Sequence, residues 1–238
     1  MKIPSYLPSK IKALPANLLS CRLIPDAAEP LREKLGAKPS QRALGLVTAD
    51  QDDSLYAALD QATKNANVEV IYAKSFYAGS AHASGPLSGE ILGVIASHDS
   101  EEVAEGLQAL RQYLSESACF YTLEDASNER PRPAFFPHVI SETGSYLSAL
   151  AGIKRGEPLA YLIAPPIEAM VAIDAALKSA DVKLVSFFAP PSETNFGGAY
   201  LSGSLSSCEA AAAAFAAKVI EVAKAPLEAA RRPSRGRR

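Results

Sequence analysis

Residues 57–76 of this 238-residue chain have the sequence AALDQATKNANVEVIYAKSF, and residues 171–190 have the related sequence VAIDAALKSADVKLVSFFAP. Asp60 recurs as Asp174 and Lys64 as Lys178, in both cases 114 positions later. Self-similarity at one fixed spacing is the signature of a duplicated structural unit. The chain is therefore predicted to contain two copies of one fold.

The two repeated stretches have the same predicted secondary structure. The apolar runs LGLVTA (44–49) and LAYLIA (159–164) are typical of strands. Apolar residues at helical spacing predict helices over 54–66 and 168–180. Further strands and a longer helix follow in each unit, with Ser100 in one and Ser206 or Ser207 in the other as predicted N-caps. Two copies of a strand–helix–strand–strand–helix unit predict an α+β fold of about 100 residues per unit.

The boundaries follow from composition and repeat spacing. We expect the first unit in residues 1–124, a linker in 125–137 and the second unit in 138–228. The linker contains the sequence DASNERPRP, in which proline and charge disfavour regular structure. Residues 229–238 form an arginine-rich tail that is expected to be flexible.

Charge and composition exclude several classes of protein. Without the five arginines of residues 231–238, the chain carries 19 basic against 26 acidic side chains, which disfavours nucleic acid as a partner. No apolar run reaches the ~20 residues that cross a bilayer, so no membrane partner is expected. The three cysteines and three histidines lack metal-ligand spacing, and no nucleophile or cofactor motif is present. No catalytic residue, metal or cofactor is predicted.

Two features could form a ligand site. The acidic run ADQDD (49–53) ends the first strand, and Glu90 ends a long loop rich in Gly and Ser over 75–89. A solvated turn with carboxylates at a helix N-terminus would explain the acidic run. A small cation site would also explain it, because an ammonium ~4 Å from a carboxylate gains up to ~4 kcal/mol at an effective dielectric near 20. A second loop, 189–198, follows the corresponding strand of the second unit.

Four long runs resemble bacterial microcompartment shell proteins of the tandem, circularly permuted type, and most closely the ethanolamine-utilisation branch of that family. They are LGLVTADQDD (44–53), DQATKNANVEVIYAKSFYAGSAH (60–82), SETGSYLSALAGI (141–153) and PLAYLIAPPIEAMVAIDAALKSADVKLVSFFAPPSETNF (158–196). The resemblance implies two tandem shell domains, each a small antiparallel sheet flanked by helices. It further implies a homotrimer that imitates a hexagonal tile. It also implies a non-enzymatic, structural role in a shell within the cytoplasm, with neighbouring tiles and encapsulated enzymes as partners.

The resemblance also implies site residues. Asp52, Glu90 and Phe120 match an ethanolamine site in a small pore between the units, and Tyr77 and Thr194 match loops that gate a larger central pore. The alternative interpretation is a ligand-binding regulator or small enzyme on a duplicated α+β fold. Its site would lie between the repeats, beside the same acidic run.

Overall fold

The computed structural model describes residues 3–76, 90–124, 133–190 and 195–227. The strands of this part of the chain are β1 (Ile11–Pro15), β2 (Leu18–Ile24), β3 (Ala43–Ala49), β4 (Glu69–Ser75), β5 (Ile91–Ser97), β6 (Cys119–Leu123), β7 (Phe136–Ile140), β8 (Leu159–Ala164), β9 (Val182–Phe188) and β10 (Gly197–Gly203). The helices are α1 (Glu29–Lys34), α2 (Asp52–Asn65), α3 (Ser100–Glu116), α4 (Ser145–Ala151), α5 (Pro166–Ser179) and α6 (Leu205–Lys224).

Two four-stranded antiparallel sheets have the same topology. The first has the strand order β2-β3-β5-β4 and the second the order β7-β8-β10-β9. The four strands of each sheet occur in the same chain order, with one short and two long helices in equivalent places. The predicted duplication and α+β class are confirmed. We call β2–β5 with α1–α3 the first unit, and β7–β10 with α4–α6 the second unit.

Helices α2 and α5 are the repeated helices of the sequence. Both have 14 residues, and their first residues, Asp52 and Pro166, lie 114 positions apart. Each begins two residues before its predicted start, because proline and acidic residues are well tolerated in a first helical turn. In α2 the predicted apolar face is fully buried, at Leu55, Ala58, Leu59 and Ala62. In α5 one member of the predicted face, Val171, is instead 41% exposed.

The N-caps of the two long helices differ from the prediction. The Asp99 side chain, rather than Ser100, accepts a hydrogen bond from the backbone amide of Glu101 at 2.9 Å. The cap of α6 is Ser204, whose hydroxyl accepts from the amide of Ser207 at 3.1 Å. In both cases the cap lies within two residues of the preceding strand's end, and its side-chain oxygen satisfies a free amide of the first helical turn.

A two-stranded ribbon, β1 with β6, joins the two units. It pairs Ile11 with Leu123 in antiparallel register. Ile11 and Tyr121 are buried in the same apolar core as Phe215 of α6. Residues from both ends of the 1–124 segment thus complete the core of the second unit. The boundaries 1–124, 125–137, 138–228 and 229–238 stay predictions, since much of the linker and tail lies outside the described residues.

Among the described residues, no helix combines the length and the apolar character that a bilayer span requires.

Candidate ligand-binding site

A cavity of about 270 Å³ lies between the two units. The first unit contributes residues of α2 and β4 to its wall, and the second unit contributes α4, β8, β9 and β10. The wall combines two carboxyl groups, Asp52 and Asp53, with aromatic rings that include Tyr56, Tyr161 and Phe196. The site therefore exists only when both units are present.

The two aspartates form the first turn of α2. Asp52 is 8% exposed and Asp53 is 6% exposed. The preceding residue, Gln51, donates from its side chain to the carbonyl of Leu14 at 2.9 Å and accepts from the hydroxyl of Ser54 at 2.8 Å. The positive end of the helix dipole stabilises carboxylates in this turn. The turn is thereby fixed to β1, and both acidic side chains are held at the cavity.

Asp53 meets an aromatic cluster of the second unit. The Tyr161 hydroxyl donates a short hydrogen bond to its carboxylate. The Tyr161 ring packs edge-to-face on Tyr200 at 4.5 Å between centroids, and Tyr200 packs in the same way on Phe188 at 4.8 Å. Burial, and then the charge of Asp52, raises the pKa of Asp53 well above its usual range, while the Tyr161 hydrogen bond opposes that rise. A bound cation would relieve this repulsion between carboxylates.

Glu90 completes an acidic group beside the cavity. Its backbone amide donates to the carbonyl of Ala49 at 2.8 Å, and its carbonyl accepts from the amide of Phe76 at 2.9 Å. These bonds fix Glu90 between the ends of β3 and β4. Burial, followed by the charge of Asp52, raises the pKa of the Glu90 carboxyl group. The negative charge of Asp52 therefore acts on Glu90, and the assignment of both residues to a ligand site stays a prediction.

Phe120 lies behind the cavity wall. It is 6% exposed, and its ring packs against Phe136 at 5.1 Å and against Phe196 at 5.8 Å. Phe196 itself lines the cavity, so Phe120 supports an aromatic wall residue. The two predicted gating residues, Tyr77 and Thr194, lie outside the described residues.

The sequence interpretation did not assign Asp53, Tyr56, Tyr161 or Phe196 to the site. Asp53 was part of the quoted acidic run, but nothing distinguished it from its neighbours. Tyr161 offered one signal, since a tyrosine in the aliphatic strand LAYLIA brings a hydroxyl that needs a partner when buried. That its partner is Asp53, 108 residues away, follows only from the fold.

A larger groove of about 1040 Å³ runs along the other end of the α2–α4 contact. It contains side chains of both signs, and two of them, Lys38 and Glu69, already pair at 2.5 Å. Positive and negative side chains are therefore mixed in this groove, which does not favour ligands of one charge. The smaller cavity, with two carboxyl groups in its wall, Glu90 beside it and an aromatic wall, is the better site for a small cation.

Known proteins share both the sequence and the fold. The BMC domain family model matches residues 43–123. The microcompartment shell protein EutL of Clostridium perfringens is 49% identical over 211 residues, which cover 89% of this chain and 95% of that protein. EutL of Salmonella typhimurium is 46% identical over 214 residues, covering 90% and 96%. The crystal structure of ethanolamine utilization protein EutL from Leptotrichia buccalis superposes with a TM-score of 0.87 at 50% identity, covering 92% of this chain and all of that one.

The chain belongs to the EutL family of bacterial microcompartment shell proteins. EutL-type proteins are structural components of a shell and not enzymes, which confirms the predicted class and excludes the small-enzyme alternative. Family membership also confirms the predicted location, in the shell of a microcompartment within the cytoplasm.

Proposed function

We propose that three copies of this chain form a ring-shaped tile, and that the cavity between the units binds ethanolamine. The ring has two units per chain, so three chains supply six similar wedges. Light scattering should then give a mass of about 75 kDa, three times the 25.1 kDa of one chain. A monomer at micromolar concentration would contradict the tile.

The acidic group beside the cavity carries the ligand proposal. An ammonium group entering between Asp52, Asp53 and Glu90 gains Coulomb attraction. It also offsets the burial and the carboxylate repulsion that together raise the pKa values of Asp53 and Glu90. Its short carbon chain can lie against Tyr56 and Phe196. The L. buccalis relative is an ethanolamine utilization protein, which favours this amine over others. We expect a Kd near 1 mM, about −4 kcal/mol, because a tight site would release its ligand slowly.

We place the proposed gate in two loops that follow equivalent strands of the two units. Tyr77 follows β4, and Thr194 follows β9, the equivalent strand of the second unit. Loops at equivalent places in six wedges would surround one central opening in the ring. Ethanolamine can bias that opening only if it binds one loop arrangement more tightly than the other.

Calorimetric titration with ethanolamine tests the ligand site. Asp52→Asn and Glu90→Gln should each weaken binding at least tenfold, because each removes one negative charge beside the ammonium group. Glu221→Gln is the matched control, since Glu221 lies exposed on α6 in an ion pair with Lys218. The neutral analogue 1-propanol should bind far more weakly than ethanolamine. Unchanged ethanolamine binding in both acidic variants would contradict the site.

A further inference from the structure

Asp53 is buried in direct contact with a second carboxyl group. It is 6% exposed, and its backbone amide donates to Oδ1 of Asp52 at 2.9 Å. The carboxyl groups of the two residues are also hydrogen-bonded to each other. An ionised carboxylate can only accept hydrogen bonds, so a bond between two carboxyl groups needs a proton on one of them. The arrangement therefore calls for one proton on the pair.

No basic side chain balances the pair within the described part of the cavity wall. The titratable groups around Asp53 there are all acids, namely Asp52, Tyr56, Tyr146, Tyr161 and Tyr200, with Glu90 beside them. Two ionised carboxylates in contact would repel each other strongly at such a buried position. A proton on one of them removes this repulsion, as in other carboxyl pairs that share a site.

The surroundings favour Asp53 as the residue that carries the proton. Burial, followed by the charge of Asp52, raises the pKa of the Asp53 carboxyl group well above its usual range. The Tyr161 hydroxyl donates to Oδ1 of Asp53, which leaves Oδ2 to carry the proton. Tyr161 does not supply a proton itself, because burial and then the charge of Asp53 raise the pKa of its hydroxyl as well.

We propose that Asp53 is protonated before an amine binds, and that it releases this proton to solvent when the ammonium group enters beside Asp52 and Glu90. The O–H bond of Asp53 breaks, and its electron pair stays on the carboxylate. One positive charge enters as one leaves, so the net charge of the site does not change. This inference rests on the proposed amine site and makes its affinity depend on pH.

Proton exchange makes acid a competitor of the amine. Between the pKa values of Asp53 in the bound and the unbound site, only the unbound site holds the proton. In that range the amine binds more weakly as the pH falls, by up to about tenfold for each pH unit. The amine does not add to this effect, because a primary ammonium group keeps its proton well above neutral pH.

Calorimetric titration of the unaltered protein with ethanolamine counts the protons. At pH 6, the heat of binding is compared in two buffers of different ionisation enthalpy, neither of them a primary amine. About one proton should be released for each amine bound, and the Kd should rise as the pH is lowered from 7 to 6. Binding without proton release would overturn the exchange and leave the amine site standing, whereas absence of binding would overturn both.

Difference infrared spectroscopy identifies the group that loses the proton. When ethanolamine saturates the unaltered protein, the carbonyl band of a protonated carboxyl group should disappear and a carboxylate band should appear. Asp53→Asn should lack this change, because asparagine has nearly the same shape but does not titrate. Glu90→Gln is the matched control and should retain it, since Glu90 is the other carboxyl group on which the charge of Asp52 acts. A change that persists in Asp53→Asn would place the proton elsewhere and overturn the proposal.

Discussion

At the scale of single residues, His138 is the group whose environment most clearly fixes its protonation. Its Nε2 atom lies 2.7 Å from the Tyr113 hydroxyl, and its ring stacks on Phe136 at 5.0 Å. Burial, followed by the nearby charge of Lys64, lowers the pKa of His138 to about 4. The imidazole is therefore neutral in the folded chain throughout the physiological range.

This shift predicts a loss of stability in mild acid. Above pH 6.5, His138 is neutral in both folded and unfolded chains and contributes no pH dependence. Between pH 6.5 and 4 only the unfolded chain binds the proton, so the free energy of unfolding falls, by about 1–3 kcal/mol in total. In His138→Gln this part of the loss should vanish, because glutamine does not titrate.

Urea unfolding at a series of pH values between 7.5 and 4 measures the effect, at constant protein concentration. The stability of His138→Gln relative to the unaltered protein should rise steadily as the pH falls. If the free energy of unfolding fell equally with pH in both proteins, the lowered pKa assigned to His138 would be wrong. Asp53 and Asp60 have raised pKa values, which increase stability as the pH falls, in both proteins. Subtracting the free energy of unfolding of one protein from that of the other at each pH removes this shared contribution.

The sequence predicted only some of the individual residues of the site. The acidic positions Asp52 and Glu90 could be proposed, because charge and family resemblance both mark them. The aromatic wall could not be predicted, because Tyr161 on β8 and Phe196 just before β10 reach the cavity from the other unit. Pairings across more than 100 residues leave no local pattern in a single sequence.

At the scale of elements, the close approach of α2 and α4 depends on Gly144. A Cβ atom at this position would lie 2.5 Å from the Asp60 carbonyl oxygen and would also overlap the Thr63 hydroxyl. The first of these contacts is with backbone, which cannot rotate away. Glycine thus lets the α4 amides reach the Asp60 carboxylate.

Gly144→Ala should therefore lower the free energy of unfolding by about 1–3 kcal/mol, the usual cost of overpacking. Ser145→Ala is the matched control, because Ser145 is the adjacent residue and its side chain is exposed. Its backbone N–H can still donate a hydrogen bond to the Thr63 hydroxyl. Thermal unfolding at one protein concentration compares the two. Equal melting temperatures for both variants would show that α4 can move aside.

Element prediction succeeded where the periodicity was strong. Strand β8 was predicted with its observed limits, and α2 and α5 within two residues of theirs. The ribbon of β1 and β6 was missed, because Pro8 and Pro15 interrupt the N-terminal pattern and its partner strand lies more than 100 residues away. The caps Asp99 and Ser204 were misplaced by the same one- to three-residue uncertainty that affects helix ends.

At the scale of the whole molecule, the ribbon ties the first residues to the second unit. Ile11 is 3% exposed within the core that contains Phe215 of α6. Ile11→Ala should destabilise the protein by about 2–5 kcal/mol, the usual cost of removing a large buried side chain. Because Ile11 packs there, hydrogen exchange of the α6 amides should accelerate although α6 is far away in sequence.

Lys12→Ala serves as the control, since Lys12 is the next residue of β1 and is exposed. In Lys12→Ala, the α6 amides should exchange at the same rate as in the unaltered protein. Faster exchange confined to the first unit in Ile11→Ala would contradict the shared core.

The two copies of the repeated helix begin with chemically different residues. Asp52 and Asp53, which begin α2, have Pro166 and Ile167 as their counterparts at the start of α5. A ring of six identical subunits would have to repeat its acidic residues at every junction. A doubled chain can instead place carboxylates at one copy of the helix start and apolar residues at the other. In the ring and amine site proposed above, this difference would allow one bound amine per polypeptide.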